Sequence, residues 1–462
     1  MTDAKAFDDY VKEVQKKYVA TGPKSTQLHK EAQRFMPGGD TRSATYYPPF
    51  PTFMERGEGC RLYDVAGNAY IDFANNYTSL IHGHAHPATV DAVIEQAKRG
   101  FVYGSPVEIQ TKLAQEMCER VPSVERVRFA NSGTEATLAA IRLARAHRRK
   151  YKLLKMEGGY HGAHDLVEVS VWPDPNKIGP VERPYSVRED PSIPPSSATD
   201  CVIAPFNNTP VAERIIAENH EDLAAIIVEP VQGACGMIPV EADYLAMLRE
   251  SATKYGIPLI YDEVISFRLA RGGCQEICGI LPDLTSFGKI IGGGLPVGAV
   301  GGREDLMDLF NPLKPPSLSH SGTFNGSPVV MAAGLATLKA FSTDEIHRIN
   351  GLGDLIRLKF REVLDEVGIV AQLTGMGSLT QFRFTNDEVR DYRSSLSEDL
   401  AVRGLLHLML LDKGIFVAKR AMFSISTPMG EREIEEAVTA VRSCLQEMKP
   451  YIEKSKPHLV SR

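Results

Sequence analysis

The 462-residue sequence predicts an α/β fold built on a mainly parallel sheet. Three observations carry that expectation. Short apolar runs such as Val127–Ala130, Ala224–Pro230 and Ile257–Val264 alternate with helix-length segments of helical periodicity. Residues 224–228 and 257–261 are apolar without alternation, as strands covered on both faces must be. The composition, 43% hydrophobic and 24% charged, is that of an ordinary globular chain. A chain of this length buries roughly three-quarters of its unfolded surface and needs no disulfide or metal to hold a core.

Taken in order, Phe7, Tyr10, Val11, Val14 and Tyr18 recur at helical spacing and predict an amphipathic first helix. Residues 37–51 are turn-rich. Residues 59–73 alternate around Gly67-Asn68 and read as a β-hairpin. Beyond residue 80 the strand, loop and helix rhythm begins. Residues 173–200 hold seven prolines and no periodicity, a long loop of the kind that often carries function. From about residue 330 long helical patterns return, followed by short strands at 378–384 and 422–426. The expected division is a large α/β domain at 75–325 and a smaller α+β domain made from 1–74 together with 326–462.

Several function classes are excluded at this level. Lys and Arg number 52 against 58 Asp and Glu, a net charge of −6, which argues against a nucleic-acid binder. The seven cysteines are scattered and odd in number, and Cys274 and Cys278 form the only close pair, so reduced thiols are expected rather than disulfides or zinc. The first residues lack an apolar signal core, and no apolar run reaches 18 residues; a cytoplasmic chain with no membrane association is expected.

The chemistry is concentrated at strand ends, where open α/β sheets bind ligands. Asn131-Ser132-Gly133-Thr134 follows a strand and opens a helix, so backbone N–H groups of Ser132, Gly133 and Thr134 favour an anion there. An ordinary N-cap is the plainer alternative. The basic run 145–150 ends the same helix and suits its dipole better than DNA. Asp262 ends an apolar strand, where an unpaired carboxylate is costly. Glu229 ends another. Lys289 precedes a glycine run, and in a desolvated pocket its amine is suited to Schiff-base chemistry; a plain Asp–Lys ion pair is the alternative. An anion cradle, a strand-end carboxylate and a lysine are together what pyridoxal phosphate requires, and Tyr160 offers an aromatic face for its ring.

On the ordered motifs NSGTEATLAAIRLARA, GGYHG, VEPVQG, YDEV, SFGKIIGGGLPVGAVGGR and HSGTFNGSP, spread from 37 to 428, the chain resembles class III (subgroup II) aminotransferases. The resemblance implies the type I pyridoxal-phosphate fold, with a seven-stranded, mainly parallel sheet in the large domain. It implies that Lys289 forms the imine with pyridoxal 5'-phosphate and shuttles the proton. Asp262 holds the pyridinium nitrogen, Val264 lies on the ring face opposite Tyr160, and Ser132, Gly133 and Thr134 bind the phosphate. Glu229 supports hydrogen bonds at the ring side. Thr323 reaches the phosphate of a neighbouring subunit, which implies a homodimer with active sites at the interface. One position departs from many relatives, which place Gln where Ile265 stands. That pattern is closer to glutamate-1-semialdehyde aminomutases and β-amino-acid aminotransferases.

Substrate choice should come from carboxylate readers, and Arg42 and Arg420 resemble the arginines that do this in β-phenylalanine-type aminotransferases. Tyr46, Tyr47, Phe50 and Phe53 are candidates for an apolar side-chain pocket, with Phe50 and Phe53 equally suited to the core. The expected activity is transfer of an amino group from a β-amino acid, aromatic or apolar in its side chain, to 2-oxoglutarate or pyruvate by a ping-pong cycle. An aminomutase moving the group within one molecule is the alternative, and a non-catalytic pyridoxal-phosphate module is a third. The histidines of HGHAHP (82–87), with His161 and His164, suggest metal only superficially, and no metal site is expected.

Overall fold

The computed structural model describes residues 3–461. The chain divides into two compact units. One, the sheet unit, comprises Pro87–His347 and Arg390–Leu396. The other, the terminal unit, comprises Met1–His86, Arg348–Val389 and Ser397–Arg462. Relative to the sequence-based boundaries at 75 and 325, residues 75–86 group with the chain ends, and the helix Pro328–Ala340 groups with the sheet. Packing explains the second shift. That helix buries Met331, Ala333, Gly334 and Leu338, and its Gly334 lies against the Ile291 carbonyl, just beyond the last parallel strand.

The sheet unit is built on seven strands: β1 (Arg126–Ala130), β2 (Lys152–Met156), β3 (Cys201–Ala204), β4 (Leu223–Val228), β5 (Leu259–Asp262), β6 (Leu284–Gly288) and β7 (Gly298–Gly302). Their order is β1-β7-β6-β5-β4-β2-β3. β3, β2, β4, β5 and β6 pair in parallel, and β7 runs antiparallel to both β6 and β1. β4, β5 and β6 are buried along their whole length, which is why their sequences show no alternation.

Helix Gly133–Arg148 covers one face. It buries Ala136, Ala139, Ala140, Ile141, Leu143 and Ala144, and packs with Ile227, Ile260, Leu284 and Val300 of the sheet. Alanines on the inner stripe let the helix lie close, while Ile141 and Leu143 each contribute roughly 1.5–3 kcal/mol by burial. Its C-terminal Arg148 donates to the carbonyls of Leu223, Tyr255, Gly256 and His220. The basic run is thereby engaged in holding the helix end to the sheet.

The terminal unit draws on both ends of the chain. Met54–Glu58, Arg61–Asp64 and Ala69–Asp72 form an antiparallel meander, and Ile415–Phe416 joins it in parallel beside Ala69–Asp72. Gln372–Thr374, Leu379–Arg383 and Met422–Ser424 make a second, three-stranded sheet. The first helix, Asp3–Thr21, is fixed by Tyr10 stacking on Tyr451, with ring centroids 3.9 Å apart and planes within 4°. Tyr47 and Phe50 belong to this unit's core rather than to a ligand pocket. Tyr47 packs edge-on against His407, and Phe50 lies against Tyr18 and His29.

Candidate active site

Every carboxyl end of the central parallel strands contributes to one cluster in the sheet unit. β4 and β5 are in register, with Tyr261 opposite Val228, so the residues that follow, Glu229 and Asp262, stand abreast at the rim. Asp262 is 5% exposed; its Oδ1 accepts the Val264 N–H at 3.1 Å, and its Oδ2 pairs with His161 Nδ1 at 2.9 Å. Burial holds the His161 pKa below its ordinary value despite that carboxylate. The ring is therefore neutral, carries its proton on Nδ1 and donates to Asp262. Sequence reasoning saw His161 only as a metal candidate. Its position directly after Tyr160 was the available signal.

Glu229 is held from both sides. Its Oε2 accepts the Tyr160 N–H at 2.9 Å and its Oε1 accepts the Gly233 N–H at 3.1 Å. Burial, reinforced by repulsion from Asp262, pushes its pKa up to about 8, while the positive charge of Lys289 opposes the shift. Its folded-state pKa thus lies above the unfolded one. The stability this group contributes is fully present below the unfolded pKa near 4.5 and is lost as pH rises toward 8. Glu229→Gln is therefore expected to flatten the fall in apoenzyme melting temperature between pH 5 and pH 9, read by thermal denaturation at constant ionic strength. An unchanged slope would mean that Glu229 is already ionised across the range.

Lys289 follows β6 and is half-buried, with φ +51, a left-handed conformation that non-glycine residues rarely hold. Such strain is found where surrounding structure imposes a functional geometry. The anion cradle meets the same place. Ser132 caps helix Gly133–Arg148, its Oγ accepting the Glu135 N–H, which leaves the first N–H groups of the helix open. A Cβ on Gly133 would come within 3.2 Å of Val264, so glycine is what lets the helix end approach the strand that carries Asp262. Across the strand, a Cβ on Gly298 of β7 would sit 1.9 Å from the Ser132 carbonyl oxygen. The loop 160–163 closes the set. Ala163 N–H donates to Thr134 Oγ1 at 3.2 Å, and the Tyr160 ring, 38% exposed, stacks on Trp172 with centroids 6.0 Å apart.

Ser132, Gly133, Thr134, Tyr160, Glu229, Asp262, Val264 and Lys289 thus fall together. They provide a helix N-terminus with a glycine at its first position for a phosphate, a buried carboxylate fixed by Val264 N–H and His161, an aromatic face and a primary amine. That donor set fits pyridoxal phosphate. Where many relatives place Gln, Ile265 packs over Gly233, its Cδ1 2.2 Å from where a Cβ would lie. The polar group beside it is Glu229. Thr323 is exposed, and two residues further on Asn325 Oδ1 accepts from the Asn131 side-chain amide at 2.8 Å, next to Ser132 of the cradle.

The arginines belong to the terminal unit and share a partner. Arg42 and Arg420 both lie over the Tyr77 ring, their guanidinium carbons 5.3 and 5.6 Å from its centroid. Arg42 Nη1 also donates to Asn76 Oδ1 at 2.6 Å. Tyr77 was not singled out from sequence. It sits in a run, Asn75 to Thr78, whose φ angles are +46, +46, +54 and +74. Each such residue costs about 1–2 kcal/mol, so the turn needs anchors. Asp72 supplies two by accepting the N–H groups of Ala74 and Asn75, and the Asn75 amide donates to the Ser424 carbonyl at 2.7 Å.

The HGHAHP histidines are engaged in packing. His84 Nε2 pairs with Asp72 Oδ2 at 2.7 Å, His82 Nδ1 with Thr427 at 2.8 Å, and His82 stacks on His86. A cavity of about 770 Å³ lies elsewhere in the terminal unit, lined by Tyr10, Tyr18 and Tyr70. Two of its lysines are paired, Lys17 with Asp412 and Lys413 with Glu447, and none of Ser132, Glu229, Asp262 or Lys289 lines it.

Comparison with known proteins agrees with this geometry. The family model described as Aminotransferase class-III matches residues 42–428. A glutamate-1-semialdehyde 2,1-aminomutase from Methanocaldococcus jannaschii is 40% identical over 395 residues, 85% of this chain and 91% of that protein. Among solved structures, an omega-transaminase from Sphaerobacter thermophilus is 41% identical with TM-score 0.90, covering 92% of this chain and 98% of that one. A beta-phenylalanine aminotransferase from Variovorax paradoxus is 34% identical with TM-score 0.89, covering 99% of both chains.

Proposed function

The chain belongs to the class-III aminotransferase family and is a pyridoxal-phosphate-dependent aminotransferase, and from that premise we propose that its amino donor is a β-amino acid with an aromatic or apolar side chain. The acceptor in this reading is 2-oxoglutarate or pyruvate. When bound, the cofactor receives the amino group and delocalises the electron pair left on the substrate carbon. Lys289 Nζ takes the proton from that carbon and returns it. Asp262, oriented by His161 Nδ1–H, keeps a proton on the ring nitrogen. The open N–H groups at 132–134 would hold the phosphate, and Tyr160 and Val264 would bound the ring. The loop bearing Thr323 reaches a second copy of the chain, a role suited to its exposure and to that of neighbouring Phe324, 58% exposed. The cysteines, all free, suit a cytoplasmic enzyme.

The observation that carries the donor assignment is the pair Arg42 and Arg420 on one tyrosine ring. A guanidinium binds a carboxylate bidentately, and the two half-reactions present carboxylates in turn. The second reading, an aminomutase of the glutamate-1-semialdehyde type, is favoured by the 40% identity to a relative of that name. A panel of α-, β- and ω-amino donors with each oxo acid separates them, since an aminomutase consumes no oxo acid. In the same panel Arg42→Ala and Arg420→Ala should each raise KM for a carboxylated donor by about 10–100-fold, the worth of a lost charged hydrogen bond. A simple amine of the same side chain should be nearly unaffected. Equal effects on both would refute the carboxylate-reader assignment.

A further inference from the structure

The sheet unit includes one short segment from far along the chain, Arg390–Leu396, flanked on both sides by residues of the terminal unit. It is bonded to several loops at the carboxyl edge of the sheet. Arg393 forms a forked pair with Glu157, Nε to Oε2 at 2.7 Å and Nη2 to Oε1 at 3.0 Å. It also donates to the carbonyls of Gly179 at 2.8 Å and Ile178 at 3.2 Å in the long proline-rich loop. Tyr392 Oη donates to the Pro173 carbonyl at 2.5 Å. Arg390 accepts from the Asn207 side chain at 2.9 Å and pairs with Glu241 at 2.7 Å.

Two of these anchors bear on the aromatic bed. Glu157 is 2% exposed and directly follows β2, three residues before Tyr160. Gly158 and Gly159 lie between, and neither has a side chain to fix the turn. Gly158 has φ +80, and a Cβ there would come within 2.9 Å of the Tyr392 Cβ, so the segment lies directly on the turn. Pro173 follows Trp172, the indole that stacks on Tyr160. The Trp172 N–H is held by Glu189 at 3.1 Å, so Tyr392 completes its fixation from the other side.

We propose that residues 390–396 form a clamp that sets the aromatic bed of the cofactor site. Arg393 acts as a positioning residue through Glu157 on Tyr160, and Tyr392 acts through Pro173 on Trp172. The proposal rests on the reading that Tyr160 carries the cofactor ring. A buried carboxylate left without its guanidinium must find solvent or a proton, and either movement displaces the turn it terminates. Because Tyr160 and Trp172 are stacked, a shift in one loop reaches the other ring.

Trp172 is the single tryptophan of the chain, so its emission reports the stack directly. Arg393→Ala is expected to shift the emission of the folded apoenzyme and to weaken its affinity for pyridoxal phosphate. The circular-dichroism band of the bound cofactor should shrink. Turnover should fall by about 10–100-fold, the order that ångström-scale misplacement costs, with KM for the donor unchanged. Arg393→Lys, which keeps the charge but loses the fork, should recover part of each loss. Tyr392→Phe should shift the emission with a smaller effect on affinity. Should Arg393→Ala not fold, the Lys and Phe variants read the same quantities. Wild-type emission, affinity and dichroism in the folded variants would overturn the clamp. Tyr160→Ala separates the two levels. If it lowers cofactor affinity while the Arg393 variants do not, the clamp alone fails. If it leaves affinity and dichroism intact, the reading of Tyr160 fails and the clamp with it.

Discussion

Lys289→Ala is expected to abolish amino-group transfer, lowering turnover by roughly four orders of magnitude or more, as removal of a residue that bonds covalently to the reacting system does. The variant also loses the visible absorbance of the covalent lysine–cofactor adduct, while the phosphate cradle at 132–134 continues to retain the cofactor non-covalently. Those two readouts together make the test specific. Lys289 has φ +51, so replacement by alanine leaves the same left-handed backbone and removes the amine with its alkyl stem. A fold defect would release the cofactor altogether. A variant that keeps both absorbance and turnover would show that another amine does the chemistry. A side effect follows from the electrostatics. The lysine charge holds the Glu229 pKa down, so its loss should move Glu229 further above 8.

Asp262→Ala is expected to cost about 3–4 kcal/mol in the barrier, or a 10²–10³-fold fall in turnover, comparable to deleting a preorganised electrostatic group. Here the interpretation needs a companion. The alanine variant strands the buried His161 Nδ1–H without its acceptor, which costs about 1–3 kcal/mol of stability by itself. Asp262→Asn keeps the shape and offers His161 an oxygen, yet carries no charge to hold a proton on the cofactor nitrogen. If the Asn variant is as slow as the Ala variant while melting near the wild type, the carboxylate charge is the catalytic element. Near-normal turnover in Asn would assign protonation of the ring to another group.

The strand-end residues were legible because a parallel sheet leaves few places for a polar side chain. Asp262 and Glu229 each close a run of apolar residues, and only a function or a buried partner accounts for a carboxylate there. The seven-stranded sheet was expected through the resemblance, and the uninterrupted apolar strands supported it. What stayed hidden depends on pairing across long separations. His161 and Asp262 are 101 positions apart, and Glu157 and Arg393 are 236 apart. A histidine or arginine read in isolation fits many roles equally. Tyr47, read as a pocket residue, and Phe50, left open between pocket and core, were obscure for a different reason. An aromatic residue near a turn suits a pocket or a core, and the helix that buries them begins at residue 3. The left-handed run at 75–78 carries no glycine to announce it. Asparagine tolerates that region but does not require it.

That run also shapes which sequences the protein can explore. Asn76 and Tyr77 occupy backbone angles that β-branched residues resist, so valine, isoleucine or threonine at either position would be disfavoured before any question of chemistry arose. Glycine would relax the backbone, but it would remove the amide that meets Arg42 at 76, or the ring shared by two guanidinium groups at 77. Drift at this turn is therefore filtered twice, by conformation and by contact. Variation in what the enzyme accepts should accumulate around the turn, in the residues facing it, rather than within it.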